Sequence, residues 1–403
     1  MTQQRAAAQE ALQRRFGRGD AEIVVEAPGR VNLVGEHTDY NLGLALPFAT
    51  EQTTAVALRG RSDERIRLYS RELGSARDTR IRSVLQHKGT ANGWFAYIAG
   101  ILSSLASRVR LRRGFDAAIV SSVPLAAGMS SSAALEIGMI LALCDYYDVA
   151  LDDMETVKLC AAAESMSAGT ECGLMDPYAS LLGERGEALV IDFMRLNHES
   201  LDFDAPGVDV LVVESGTTRE LSSSGYNQRR SECLAALDVI RRGAPEHCQA
   251  KALSSLVRAD LDRLIDRNPD LLSRPLRNRA LHVISENARV EHAVEAISSN
   301  QMGRLGDLIR QSHASLRDLF EVSTPEIDFL VDWGCSHGAL GARIMGGGFG
   351  GATLHLVPSE AVGDYVPAIQ AAYRDRYNLE SCVWRTHPGP GARTLHDEAT
   401  RMR

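Results

Sequence analysis

The chain has 403 residues, enough for two or three domains around a sizeable core. Hydrophobic residues make up 44% and charged residues 24%, as in a soluble globular protein, and the formal net charge of -8 argues against a general nucleic-acid surface. Seven scattered cysteines without a Cys-x-x-Cys pair, and eleven histidines without a His-Glu-x-x-His arrangement, argue against a disulfide scaffold or a zinc site. Scattered cysteines fit a reducing cytosol. No apolar run is long enough for a membrane span, and Met1 to Asp20 lacks the apolar centre of a signal peptide. We therefore expect a cytoplasmic protein, with no membrane or nucleic-acid partner and no evident need of an obligatory protein partner.

In chain order, Ala6 to Phe16 suits an amphipathic helix and Glu22 to Ala27 a strand. Ala27 to Gly43 then crowds Arg30, Glu36, His37 and Asp39 among turn residues on what reads as a loop. Leu44 to Leu58, apolar and β-branched, predicts one or two strands, and Arg59 to Lys88 alternates as exposed antiparallel strands do. A helix is expected from Asn92 to about Val109, with Trp94 and Tyr97 sharing a face, either in the core or as a wall for a nucleotide base. Phe115 to Ser122 reads as a strand, Val123 to Ala134 as a small-residue loop, and Leu135 to Cys144 as a buried helix. Leu151 to Ala168 predicts a helix carrying Glu164, and Gly169 to Tyr178 a loop carrying Asp176, for which a helix N-cap is the plain alternative.

Ala188 to Asp192 and Asp209 to Glu214 read as strands, with Pro206-Gly207 the best domain boundary between them. Ser222 to Gly225 reads as a loop leading to Tyr226. Helices dominate from about Arg229 to His337, with breaks near Gly243 to Pro245 and at Pro275, and Pro325 opens another helix. The glycine-rich stretch Met345 to Gly351 precedes a strand, Ala352 to Val357. A helix over Gly363 to Tyr377 and a strand over Ser381 to Thr386 close the chain.

Three stretches carry chemistry. Pro124-Leu125-Ala126-Ala127-Gly128-Met129-Ser130-Ser131-Ser132-Ala133-Ala134 joins a strand to a helix start, where unpaired N–H groups and the helix dipole suit phosphate. It is neither a Walker A loop nor a dinucleotide fingerprint. Its serines can cap the helix, donate to phosphate oxygens or ligate Mg²⁺. The polar stretch around Arg30, Glu36, His37 and Asp39 can hydrogen-bond several vicinal hydroxyls at once. Glu164, in the small apolar turn Ala161 to Ala163, needs a partner, which could be a cation.

The stretch Pro28-Gly29-Arg30-Val31-Asn32-Leu33-Val34-Gly35-Glu36-His37-Thr38-Asp39-Tyr40-Asn41 resembles the galactokinase signature. The serine loop is similar to the ATP motif of the wider GHMP kinases, and Gly346 to Gly351 to their third motif. Cys172-Gly173-Leu174-Met175-Asp176, Glu286-Asn287-Ala288-Arg289 and Ser312 to Arg317 also resemble galactokinases. The resemblance implies an α+β fold of two lobes, 1–205 and 206–403, with the active site between them. The first would hold a left-handed β-α-β unit, and the second would be ferredoxin-like.

The resemblance further implies ATP-dependent phosphorylation of the C1 hydroxyl of D-galactose, with Asp176 as the acid–base carboxylate. Arg30 would keep Asp176 ionised and neutralise the transferred group. Glu36, His37, Asp39, Gly173 and Tyr226 would contact the sugar. Gly128, Met129, Ser130, Ser131, Ser132 and Ala133 would wrap the phosphates, with Trp94 and Tyr97 near the adenine. Ser132 and Glu164 would ligate Mg²⁺. Gly346 to Gly348 would support the sugar loop from the second lobe. Ala126, Met129, Pro177, Glu220 and Met345 depart from the usual pattern, the last three on the sugar side. Two alternatives stand beside this reading: a sugar 1-kinase for arabinose, galacturonate or an amino-sugar, and a catalytically silent sensor of galactose and ATP.

Overall fold

The structure is a computed structural model that describes residues 3–86, 93–125, 127–168, 173–205, 207–217 and 222–395. Ala126, Cys172, Pro206 and Glu220, named above, lie outside the described residues. The first lobe is built on a six-stranded sheet of β1 (Ile23–Asn32), β3 (Pro47–Gly60), β4 (Arg65–Ser70), β5 (Ser75–Arg80), β6 (Phe115–Ser121) and β13 (Arg393–Leu395), in the order β13-β1-β3-β6-β4-β5. Successive residues alternate between two buried faces. Val24, Ala55, Ala57, Ala118 and Val120 pack on Ala8, Ala11 and Leu12 of α1 (Gln3–Phe16). Val25, Val56, Leu58, Ala117 and Ile119 face α3 (Trp94–Leu105), α4 (Ser131–Tyr147) and α5 (Asp153–Ala168). A sheet covered on both sides needs apolar residues at nearly every position, which blunts the alternation in these strands. β4 pairs parallel with β6, and the connection runs through β5, α2 (Ile81–Gln86) and α3.

A small sheet, β2 (Leu44–Ala45), β7 (Glu187–Asp192) and β8 (Asn197–Asp202), fastens the chain just after the polar turn. The second lobe holds an antiparallel sheet of β9 (Val208–Glu214), β10 (Gly341–Met345), β11 (Ala352–Pro358) and β12 (Val383–Thr386). Its order β10-β11-β9-β12, with α12 (Val362–Tyr377) between β11 and β12, is the split β-α-β pattern of ferredoxin-like sheets. The first crossover is enlarged by α7 (Ser222–Gly243), α8 (Arg258–Arg267), α9 (Arg274–Ser298), α10 (Met302–Asp318) and α11 (Pro325–Ser336). The lobes share a core: Val31, Leu33, Leu46 and Phe48 cluster with Val290, Ala293, Leu354 and Leu356.

Several elements differ from the sequence expectation. β1 does not stop at Ala27; it passes through Pro28 with a register shift before Arg30 and ends at Asn32, so Arg30 stands on a strand. Residues 81–86 are helical, burying Ile81 and Val84, where strands were expected. α6 (Met175–Leu182) takes in Asp176 in its first turn, so Asp176 is not the N-cap. Pro177 beside it is tolerated there because first-turn N–H groups have no helical partner. Tyr226 lies on α7, which begins at Ser222 and not after a serine loop. β8 and β13 had no sequence signal. β13 pairs with the outer edge of β1, and Pro388 bridges to Thr50. The tail of the proposed second lobe therefore returns to the first sheet, covering an edge that would otherwise be open. Among the described residues, no helix is long and apolar enough to cross a membrane.

Candidate functional site

The end of β1 and the start of α4 meet at Arg30. Its backbone N–H donates to Met129 O at 3.0 Å, an approach that leaves no room for a Cβ at Gly29. The guanidinium donates to Gly128 O and, through Nε and Nη2, to both carboxylate oxygens of Asp176 at 2.7 Å each. The Arg30 side chain is 5% exposed and that of Asp176 29%, so the pair is anchored on one side and open on the other. Asp176 sits in the first turn of α6, where the helix dipole favours negative charge.

Ser130 precedes α4 in the left-handed region, φ 54°, uncommon for a residue with a Cβ. Its hydroxyl donates to Asp176 Oδ2 and does not cap the helix. Ser132 Oγ donates to Glu164 Oε1 at 2.9 Å, joining α4 to α5. Ser131, Ser132 and Leu135 share a cavity of about 120 Å³ with Trp94 and Tyr97, so the aromatic pair and the serine loop line one pocket. Met129 and Ala133 are buried, which leaves their main chain as the part that a ligand could meet.

The turn between β1 and β2 carries Glu36, His37 and Asp39. Burial drives the Glu36 carboxyl toward neutrality, but Arg343, Arg30 and the N–H of Gly346 outweigh it and hold its pKa below the usual value. Arg343 Nη2 and Gly346 N donate to its Oε1 at 3.0 and 2.9 Å, so the third glycine motif reaches the turn from the second lobe. His37 has φ 62°, and burial pushes its pKa down to about 3, leaving the ring neutral. Its Nδ1 lies 2.9 Å from Tyr40 Oη, and its buried Nε2 has no hydrogen-bond partner among the described residues. Phe320 and Tyr226 flank the ring with centroids 4.6 and 5.4 Å away, which brings α7 to the turn.

Desolvation raises the Asp39 pKa to about 6; the Tyr40 N–H opposes this and the charge of Asp176 adds to it. Gly173 abuts the Asp39 carboxylate so closely that a Cβ there would overlap it. Among the described residues, those expected to contact the sugar, the phosphates or the metal thus gather around two adjoining surfaces, one beside α4 and one at the turn, with Arg30 and Asp176 between them. Arg343, Tyr40 and Phe320 were not singled out. The one signal for Arg343 was a lone charge inside the otherwise apolar strand Gly341–Met345, where it is fully buried.

The chain matches the galactokinase galactose-binding signature over residues 10–60, the GHMP kinases N terminal domain over 96–184 and the GHMP kinases C terminal domain over 293–375. It is 35% identical to the galactokinase of Thermotoga maritima over 357 residues, covering 88% of this chain and 95% of that one. With the galactokinase of Streptomyces coelicolor it shares 36% identity over 378 residues, 93% of this chain and 95% of that one. The chain belongs to the galactokinase family. It is therefore a sugar kinase of the GHMP group, and an ATP-dependent one.

Among solved structures it resembles Lactococcus lactis galactokinase complexed with galactose, with a TM-score of 0.88 at 30% identity over 97% of this chain and 99% of that one. Methanococcus jannaschii mevalonate kinase, at a TM-score of 0.66 and 19% identity over 92% of this chain and 99% of that one, shares the fold. The two-lobed GHMP kinase architecture expected from the sequence is thus the one this galactokinase-family chain adopts.

Proposed function

We propose that the enzyme transfers the γ-phosphoryl group of ATP to the C1 hydroxyl of D-galactose, giving galactose 1-phosphate and ADP. The observation that carries the reading is the doubly bonded Arg30–Asp176 pair: Asp176 accepts from Ser130 on the loop side, and its charge is felt at Asp39 on the turn side. In this reading Asp176 receives the C1 hydroxyl proton, or aligns that hydroxyl for in-line attack. Arg30 supplies a fixed positive charge beside the transferred group. Backbone N–H groups from Gly128 to Ala133 face the phosphates at the start of α4, and Trp94 and Tyr97 flank the adenine.

Glu36, His37, Asp39, Gly173 and Tyr226 receive the sugar. Support comes from the orphaned Nε2 of His37, a ring nitrogen that in the tautomer where Tyr40 Oη donates to Nδ1 carries the proton and can donate to a sugar oxygen. Asp39 offers carboxylate lone pairs to sugar hydroxyls, and Gly173 keeps the space it occupies open. The Ser132 hydroxyl and the Glu164 carboxylate are hard oxygen donors of the kind that Mg²⁺ takes together with phosphate oxygens, and we assign them to it. Bound there, Mg²⁺ would neutralise phosphate charge. We divide the lobes near 205/206, with 388–395 joined to the first lobe, and assign the enzyme to the cytoplasm.

Purified protein incubated with Mg-ATP and galactose should release ADP in a sugar-dependent way. Galactose should have the highest kcat/KM in a panel with glucose, arabinose, galacturonate and galactosamine. No sugar-dependent ADP with any of them would overturn the kinase reading; another sugar at the top would overturn galactose as its substrate.

A further inference from the structure

The motif Glu286-Asn287-Ala288-Arg289 has no place in the chemistry above, yet it lies against the turn that carries Glu36, His37 and Asp39. Asn287 Oδ1 accepts from Leu44 N at 2.7 Å, at the point where the turn enters β2. Glu286 Oε1 accepts from Gly35 N at 2.9 Å, where the turn leaves β1. Both side chains belong to α9 of the second lobe, and both acceptors clamp main-chain N–H groups of the first. Gly43 sits so close to Asn287 Oδ1, 2.8 Å from where its Cβ would be, that a side chain there would displace the amide.

Glu286 is itself fixed. Arg289 Nε donates to its Oε2 at 2.7 Å and Ser312 Oγ to its Oε1 at 2.6 Å. Burial opposes its charge, but Arg289 and its other partners outweigh that and bring its pKa to about 2. Two further bonds reach the same turn from the second lobe: His282 Nε2 lies 3.2 Å from Glu36 O, and Ser254 Oγ donates to Asn41 O at 2.7 Å. None of these four side chains is among those assigned to the sugar. They bind its carrier.

We infer that Asn287 and Glu286 are positioning residues for the sugar, acting across the lobe boundary by holding both ends of the turn from Gly35 to Leu44. The inference rests on the sugar assignment made above. A site must be held to within about 0.5 Å to work, and a turn with positive φ at Gly35, His37 and Leu42 and a buried neutral imidazole does not hold itself. Because the clamp comes from the second lobe, the sugar surface is complete only when the lobes are docked. The ATP surface, built on α3, α4 and α5, does not depend on it.

The test compares Asn287→Ala, which removes the acceptor, with Asn287→Asp, which keeps an oxygen facing Leu44 N. Asn287 is half-buried, and Ser254→Ala gives an independent cut at Asn41. Asn287→Ala should raise KM for galactose up to about tenfold, the upper worth of one part-buried hydrogen bond, with KM for ATP unchanged. Asn287→Asp should restore KM to within about threefold of wild type, and Ser254→Ala should raise the sugar KM about two- to threefold. Calorimetric titration of galactose into each nucleotide-free protein should give the same ranking without turnover. Equal KM changes for sugar and ATP, no change in either, or an aspartate variant as impaired as the alanine variant would each overturn the inference. A wild-type enzyme with a higher kcat/KM for another sugar would overturn the galactose assignment alone, since the same comparison can be read on that sugar.

Discussion

On the proposed ATP side, the side-chain hydrogen bonds of the serine loop among the described residues come from the first lobe: Arg30 on β1, Glu164 on α5 and Asp176 on α6. On the proposed sugar side, main-chain groups of Asn32, Leu33, Gly35, Glu36, Asn41 and Leu44 all bond to second-lobe side chains. A loop that binds phosphate uses N–H groups that any helix start provides, so local structure suffices. A turn that discriminates among hydroxyls must hold several side chains at fixed mutual positions, and here it borrows rigidity from the other lobe. If the proposed assignment holds, the difference predicts that nucleotide use and sugar choice can be perturbed separately in this molecule.

The largest effect should come from the residue between the two surfaces. Asp176→Asn should lower kcat by about 10²–10⁴-fold, the range for loss of general acid–base help, while ATP binding measured by calorimetry stays near wild type. A near-normal rate would remove Asp176 from the mechanism. Gly173→Ala comes next: its Cβ must push Asp39 away, and a misplacement near 1 Å can cost about 10²-fold, here in kcat/KM for the sugar and not in ATP affinity.

Glu164→Ala should break the ATP side in the reverse sense. It should weaken use of the metal-bound nucleotide by at least the roughly 10–100-fold that loss of a group supporting a metal costs, and leave galactose binding intact. If sugar affinity falls instead, the metal has been assigned to the wrong place.

The smallest effect is graded. Asp39 accepts hydroxyl protons only as a carboxylate, and its pKa is raised to about 6. KM for galactose should therefore be flat above pH 7 and rise about tenfold per unit below pH 6, with KM for ATP unaffected. A raised folded pKa means that this group costs stability above its unfolded value, near 3.9, and that the cost is relieved as pH falls below about 6. The acid loss should thus be a loss of binding without a fall in Tm; a parallel fall in Tm would assign it to unfolding.

Much of the site was legible in the sequence because its parts carry unusual local chemistry. Arg30, Glu36, His37 and Asp39 crowd one short stretch, and Ser130 to Ser132 open a helix directly after a strand. The pairing of Arg30 with Asp176, 146 residues apart, was implied by the family resemblance and by nothing in the local spacing. Less legible were residues whose role is defined by a distant main chain. Arg343 reads in sequence as an oddity in an apolar strand, yet it donates to Asn32 O, Leu33 O and the Glu36 carboxylate. β13 carried no periodicity because three residues suffice to cover one edge. The serine run before Tyr226 suggested a loop because serine disfavours helix interiors, and tertiary packing against His37 and Phe349 overrode that weak preference.

The family resemblance implied the pairing of Asp176 with Arg30; by itself the sequence determined the chemistry available, a helix start suited to an anion and a polar turn suited to hydroxyls. Those are properties of residue types and near-neighbour spacing, which local backbone preferences fix. Only the tertiary structure decided that β1 carries Arg30 past Pro28 to the serine loop, that Asp176 opens a helix facing it, and that α9 closes on the turn from the far lobe. Such relations hang on which strands pair and which helix faces bury together, and a linear order of residues does not contain them.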